Sequence, residues 1–308
     1  GYRVGIVSNS DGHKGRPGAS YPGASLFGAY GGLTCILAEA LSRDALLDAL
    51  RRRHNYGTTG CRALLDVRAA FEAPATRFRD DPNLGTSPSE NASQAMMGDI
   101  LRSDAQAVTL TVEIVAPSPV ERIELYNGLE LLETYRPFEA TGRRVRVVWE
   151  GSEYRGRGRE TVWDGTATFA GVRVERTAPI NFYNLDKRLV QHSPTGIAWQ
   201  ALTTGGHGGF DAWLDGSADD AGATLAIDTA LVQCEVPLAT LTHEDAIFDA
   251  GGLSRRLRVF RLPEENAHRH VALRRTIPLR KSGDNALYAR ATLENGHVLW
   301  SSPIYVFA

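Results

Sequence analysis

Apolar residues follow two different spacings along this chain, and the spacing changes near residue 60. Before that point, Leu46, Leu47 and Leu50 share one face of a helix. Ser42 stands before them as a potential N-cap, and three consecutive arginines close the stretch, where positive charge suits the carboxyl end of a helix. The pattern predicts a helix over residues 43–53.

Beyond residue 60, apolar and polar residues alternate in short runs separated by turn-forming residues. Val145, Val147 and Trp149, for example, fall on the opposite face from Arg144 and Arg146. Such runs, with few helical stretches between them, are typical of an antiparallel β-sandwich. The predicted strands are residues 61–69, 107–115, 122–126, 130–135, 143–150, 166–174, 223–234, 256–261, 270–279, 287–293 and 298–300, and the polar residues 80–93 are predicted to form a loop.

The beginning of the chain carries a separate signal. Val4 and Ile6 alternate within residues 2–8, which predicts a buried strand, and a polar turn over residues 8–13 follows at its carboxyl end. A long loop rich in Gly, Pro and Ser comes next, and loops of that length are usually functional or disordered. Because the chain enters the strand at once and shows no signal-peptide pattern, we expect a fragment of a longer protein.

Composition narrows the classes of partner. The 308 residues include 34 Lys or Arg and 36 Asp or Glu, a net charge of −2, which argues against nucleic-acid binding through a basic face. No run approaches the roughly 20 apolar residues that a membrane span needs. The three cysteines are too few and too scattered for a disulfide framework or a zinc ribbon. We therefore expect neither a nucleic acid nor a membrane as partner.

Three groups of motifs occur in an order typical of one known family. They are residues 8–18 (SNSDGHKGRPG), residues 31–34 with 42–53 and 56–62, and residues 283–285 with 288–290 and 300–304. In this order they resemble DUF3604, a family of proteins of unknown function within the PHP (polymerase and histidinol phosphatase) superfamily of metal-dependent hydrolases. The central region is similar to the family only around Met97 and Gly98.

The resemblance implies an α+β fold in two domains. Residues 1–60 would be the end of a PHP-type (β/α) barrel, comprising its last strand, a loop and a helix. Residues 61–308 would form a mainly antiparallel, sandwich-like β domain. The family's barrel carries histidines and carboxylates at its strand ends for two or three metal ions, and Asp11 and His13 match its closing Asp-x-His pair. Its other ligands have no counterpart here, so we expect them in a missing N-terminal barrel segment of the same protein.

The chemistry of this pair agrees with the implied function. A carboxylate oxygen and an imidazole nitrogen suit zinc, manganese or iron, and paired divalent ions support hydrolysis by activating water and stabilising charge on a phosphoryl oxygen. The resemblance thus implies a phosphoesterase-like hydrolase that acts on a small anionic substrate, which Lys14 and Arg16 could attract. Because most of the site would lie elsewhere, we expect this chain alone to be inactive.

Other interpretations stay open. Asp11 and His13 also suit a polar turn with a surface histidine, and Lys14 and Arg16 suit solvated loop charges. The β-rich domain is alternatively a binding module that recognises a carbohydrate or a partner protein, or a lid or oligomerisation unit for the barrel.

Two further residue sets allow two interpretations each. Four tryptophans could line a sugar-stacking groove, although core packing suits them better: Trp149, Trp163, Trp199 and Trp213. His268 and His270 have the spacing of a metal-ligand pair, but they follow the turn-forming residues 263–266 in a β-rich region, so a solvated turn is favoured.

Overall fold

A computed structural model describes residues 1–10, 30–139, 142–155, 160–184, 186–215 and 222–308. Strands take up 55% of these residues and helices 5%. The chain divides into two compact units: unit 1 comprises Gly1–Pro137 and Ala267–Ala308, and unit 2 comprises Phe138–Asn266. Within the described ranges, no helix is both long and apolar enough to cross a membrane.

The elements follow one another in chain order. Unit 1 begins with β1 (Leu33–Ile36), α1 (Arg43–Arg51), β2 (Asn55–Thr58), β3 (Leu64–Phe78), a 3-10 helix (Pro82–Leu84), β4 (Ser89–Met96), β5 (Ile100–Arg102), β6 (Ala107–Val115), β7 (Val120–Asn127) and β8 (Glu130–Tyr135). Unit 2 contains β9 (Arg144–Ser152), β10 (Thr161–Val162), β11 (Gly165–Ala170), β12 (Val174–Ile180), β13 (Leu189–Ser193), β14 (Gly196–Trp199), β15 (Leu202–Thr203), β16 (His207–Leu214), β17 (Thr224–Thr229), β18 (Gln233–Pro237), a 3-10 helix (Leu238–Thr240), β19 (Ala246–Asp249) and β20 (Leu253–Leu262). Unit 1 then resumes with β21 (His270–Pro278), β22 (Asn285–Leu293), β23 (Val298–Ser301) and β24 (Ile304–Phe307).

Unit 1 is built on one twelve-stranded sheet. Its main path runs β1-β2-β23-β22-β24-β5-β3-β6-β21, with β4 beside β3 and the β7-β8 hairpin beside β22. These pairings are antiparallel except that of β24 with β5, which is parallel. Alternate residues of the strands, such as Leu65, Val67 and Ile114, form the core of the unit.

Unit 2 is a β-sandwich with a core of its own. One antiparallel sheet runs β13-β14-β11-β17-β18, the other runs β12-β16-β9-β20-β19, and a two-stranded ladder joins β10 to β15. Both sheets contribute side chains to one hydrophobic cluster. Val147 and Phe210 come from one sheet, and Ile197 and Leu225 come from the other.

The structure confirms core packing for four of the tryptophans. Trp149, Trp163, Trp199 and Trp213 are all buried, and Trp149 stacks on Trp199 with ring centroids 5.1 Å apart. Rings packed in this way cannot line a sugar-binding groove at the surface.

The expected fragment of a (β/α) barrel is wrong. Such a barrel alternates each parallel strand with a helix, whereas the described part of unit 1 has a single α-helix and an almost entirely antiparallel sheet. Residues 2–8, expected as the last barrel strand, belong to no sheet. Their N–H groups bond to side chains instead: those of Val4, Ile6 and Ser8 donate to Tyr305 Oη, Ser302 Oγ and Thr34 Oγ1. The expected β-rich character of the rest is confirmed.

A buried ion-pair cluster anchors residues 1–10, which we call the N-terminal strap. The guanidinium of Arg3 lies 2.7 Å from Asp81 Oδ1 and 2.8 Å from Asp284 Oδ1, and 4.1 Å from the ring centroid of Phe307. Burial raises the pKa of Asp81, but hydrogen bonds from the Asn83 N–H and from Arg3 outweigh it and hold that pKa below its usual range. The strap is therefore fixed to unit 1 at its third residue.

Replacing Arg3 with methionine tests this anchor. The change keeps an apolar stem but leaves the buried carboxylate of Asp81 without its cation. We expect the free energy of unfolding to fall by about 3–5 kcal/mol, as is typical when one partner of a buried ion pair is removed. Urea unfolding at pH 7, followed by circular dichroism, measures the change. Arg274→Met, at an exposed arginine of β21, is the matched control, and a loss at Arg3 below about 1 kcal/mol, the range of exposed pairs, would contradict the role of Arg3.

Candidate functional site

The four residues predicted to bind metal or substrate, Asp11, His13, Lys14 and Arg16, lie outside the described residues. The chain on either side of the segment that carries them, residues 11–29, is described. The candidate site is therefore defined here by how the two ends of that segment are held.

The entry to the segment is fixed on the β1-β2 pair. Ser8 donates its N–H to Thr34 Oγ1 at 3.0 Å, and the same hydroxyl donates to the carbonyl of Ser8 at 2.8 Å. Thr34 pairs with Gly57 across the two strands. A Cβ at Gly57 would collide with the side chain of Ser8, so the strap approaches β2 at a distance that only glycine permits.

The exit from the segment is held at the same end of the β1-β2 pair. The ring of Tyr30 lies 5.2 Å from that of His297, and the carbonyl of Gly31 lies against Gly60, just beyond β2. Thr59 Oγ1 lies 3.1 Å from His297 Nδ1, and burial lowers the pKa of this histidine. The described stretches that flank residues 11–29 therefore lie close together at one end of the β1-β2 pair.

The described residues contribute no metal centre of their own. Among the ranges that the structure describes, no three His, Cys, Asp or Glu side chains are grouped to hold an ion. His270 is exposed and lies 2.9 Å from Glu113 Oε1, at the start of β21, where a strand over residues 270–279 was predicted. The donor types of Asp11 and His13 suit zinc, manganese or iron, but two ligands are fewer than such ions require.

A buried histidine-aspartate pair in unit 1 was not predicted from the sequence. His54 Nε2 lies 2.9 Å from Asp99 Oδ1, and Asp99 Oδ2 accepts the N–H of Met96 at 2.9 Å. Arg77 Nη1 lies 3.5 Å from the same carboxylate oxygen. Burial raises the pKa of Asp99, but the hydrogen bonds from His54 and Met96 and the positive charges nearby bring it below its usual value. The carboxylate is therefore a buried anion.

Two local features bring this pair together. Helix α1 ends in a Schellman motif, in which Arg53 takes the left-handed conformation (φ 62°) and the N–H of His54 donates to the carbonyl of Ala49. Gly98 has φ 93°, and a Cβ there would strike the carbonyl of Arg53. The backbone of Gly98 can thus lie against Arg53, whose Nε donates to the Gly98 carbonyl at 2.9 Å, and Asp99 follows directly.

One family model matches part of the chain. The family described as "Protein of unknown function (DUF3604)" matches residues 21–128, which confirms the DUF3604 resemblance over that range. The match covers β1 to β7 and includes both His54 and Asp99. No curated protein and no solved structure matches the chain.

Replacing Asp99 with asparagine tests the charge of the buried pair. Because the pKa of Asp99 is lowered on folding, its stabilisation is present above the unfolded-state pKa of about 3.9 and is lost as the pH falls through the lower, folded-state pKa. We expect Asp99→Asn to lower the free energy of unfolding by about 2–4 kcal/mol at pH 7, and by progressively less below pH ~4.

Urea unfolding of both proteins across that pH range measures this difference. The matched control is Asp104→Asn, at an exposed carboxylate of the same unit. A deficit in Asp99→Asn that stays constant from neutral to acid pH would show that the carboxylate contributes through shape and not through charge.

Proposed function

We propose that this chain contributes Asp11 and His13 to the divalent-metal centre of a PHP-superfamily hydrolase, phosphoesterase-like in its chemistry, that acts on a small anionic substrate. The remaining ligands would come from polypeptide outside residues 1–308. The proposal requires no barrel strand within the N-terminal strap. It rests on the family resemblance and on one structural observation, that the described residues on either side of positions 11–29 lie close together on unit 1.

The described residues on both sides of positions 11–29 are fixed to unit 1. Ser8 is bonded to Thr34 on β1, and the ring of Tyr30 packs at a tilt against that of His297, so both ends are held by side-chain contacts to unit 1. Segments whose ends are held on a rigid scaffold commonly carry binding residues. Asp11 lies only three residues beyond Ser8.

Each residue has a separate task in the proposed chemistry. Asp11 would supply an anionic oxygen and His13 a neutral imidazole nitrogen. A divalent ion held there would favour hydroxide over water near neutral pH. Lys14 and Arg16 would draw the anionic substrate to the segment and orient it.

Metal titration of the complete chain tests the assignment. We expect weak but saturable Mn²⁺ binding in isothermal titration calorimetry, because two ligands form only part of a site. Asp11→Ala and His13→Ala should each weaken binding at least about tenfold, a loss found even for residues that only support a ligand. His270→Ala, which removes an exposed histidine of β21, is the control and should bind as the unaltered chain does. Sub-micromolar binding that survives both changes at residues 11 and 13 would contradict the proposal.

A second candidate function is ligand binding by unit 2. Its sandwich has an independent core, and an open cavity of about 770 Å³ lies at the edge where β12 and β13 meet. Arg173, Glu175, Gln191, His192 and Asp215 line this cavity, and their hydrogen-bonding groups suit the hydroxyls of a carbohydrate.

Screening the complete chain against a glycan array tests this second candidate. Glycan binding through the cavity should be lost on His192→Ala, since this side chain is part of the lining. It should be retained on His243→Ala, which changes a histidine outside the lining. Binding that both variants retain would place the carbohydrate elsewhere, and the absence of any bound glycan would remove this candidate.

A further inference from the structure

A groove in unit 1 runs between helix α1 and strands β3 and β4. Its larger part encloses about 400 Å³ and its smaller part about 240 Å³, and Arg52 and Arg77 line both. Arg68 lines the larger part and Arg79 the smaller. We call this feature the arginine groove, after these four residues. His54 lines its larger part, and the residue that His54 bonds, Asp99, lies beneath.

The arginines converge because of how the groove is built. Arg68 and Arg77 both belong to β3, where they pair with Met96 and Glu90 of β4. Arg52 is the C-cap of α1, so the Schellman motif that positions His54 also positions this guanidinium. Three positive side chains thus reach one cavity from two separate elements of unit 1.

The carboxylates that pair with these arginines differ in exposure: the side chains of Glu90, Asp48 and Asp66, the last bonded by Arg68, are 60%, 39% and 21% exposed. Arg77 bonds Glu90, whose side chain is 60% exposed, and Arg79 Nη2 lies 2.6 Å from Asp48 Oδ1. Arg52 Nη1 is 3.8 Å from the other oxygen of Asp48, beyond hydrogen-bond range. Exposed ion pairs of this kind contribute little to stability. An anion with better geometry can therefore replace the carboxylates as partner of the guanidinium groups.

Asp99 differs from these carboxylates. Only 2% of its side chain is exposed, and its oxygens are occupied by His54 and by the N–H of Met96. It therefore acts as a fixed support for Arg77 Nη1, which lies 3.5 Å away, while Nε and Nη2 of Arg77 donate to the exchangeable carboxylate of Glu90.

The number of donors indicates the kind of anion. A carboxylate has two oxygens and is satisfied by one guanidinium fork. A phosphoryl group carries three terminal oxygens and a charge of about −1.5 to −2, so it suits several converging arginines. A cavity of 400 Å³ lies within the range typical of small-molecule sites, and Leu37, Ala45 and Ala49 give it an apolar side.

We propose that the arginine groove binds the phosphoryl group of a small phosphorylated molecule, with Arg52 and Arg77 as the principal donors. The apolar side of the groove accommodates the rest of that molecule. This site consists of described residues of unit 1 alone, and it depends neither on the metal nor on Asp11 and His13.

Calorimetric titration of the complete chain with inorganic phosphate, at constant ionic strength set with chloride, tests the proposal. Arg52→Gln and Arg77→Gln should each weaken phosphate binding at least about tenfold, the loss that accompanies removal of a charge-assisted bidentate contact. Arg274→Gln makes the same change of charge at an exposed site on β21 and should bind as the unaltered chain does. Circular dichroism confirms the folding of each variant. Arg52→Gln is the decisive variant, because the ion pair that it removes, with Asp48 at 3.8 Å, contributes little to stability.

Three results would overturn the proposal. The first is the absence of saturable phosphate binding at millimolar concentration, and the second is an equal loss of affinity in Arg52→Gln and Arg274→Gln. The third is displacement of phosphate by succinate at equal concentration, which would make the groove a carboxylate site. Asp11→Ala should leave phosphate affinity unchanged. Phosphate binding that depends on Arg52 and not on Asp11 therefore supports the groove whether or not the metal proposal holds.

Discussion

The left-handed turn at Arg53 is the constraint on which unit 1 depends. At this residue the chain changes from helix α1 to strand β2, and it does so with an L-residue in a conformation that costs roughly 1–2 kcal/mol without glycine. Contacts made by Arg53 itself offset that cost. Its side chain donates to the carbonyls of Gly98 and Arg51, and its own N–H donates to that of Leu50.

The two residues that follow this turn make contacts in different regions of unit 1. His54 bonds Asp99 and lines the arginine groove, whereas Asn55 donates to the carbonyl of Ile6 and so holds the N-terminal strap. His54 and Asn55 are adjacent in the chain, so one turn determines the position of both regions. The strap and the groove are thus coupled through backbone geometry, although no side chain needs to join them.

The sequence was sufficient to predict those elements whose bounds are set by local interactions. Helix α1 begins at its predicted first residue because Ser42 caps it, and β6 and β8 have their predicted bounds. It was insufficient where a distant partner decides the structure. Strand β4 is polar and lies partly in the predicted loop, yet the ladder offered by β3 makes it a strand. His54 and Asp99 are 45 positions apart, so no sequence motif joins them. Val4 and Ile6 alternate as in a strand, but their N–H groups donate to side chains and not to a neighbouring strand.

Unit 2 interrupts unit 1 between β8 and β21, and this has a consequence for synthesis on the ribosome. Strands β2, β5, β6 and β7 each lack one neighbour until β23, β24, β21 and β22 emerge. At about 5–20 residues per second, everything after β8 takes on the order of 10–30 s to translate. During that interval the sandwich of unit 2 can fold on its own contacts, while four strands of the nascent unit 1 each keep an open edge. Those edges are where the growing polypeptide is most exposed to aggregation.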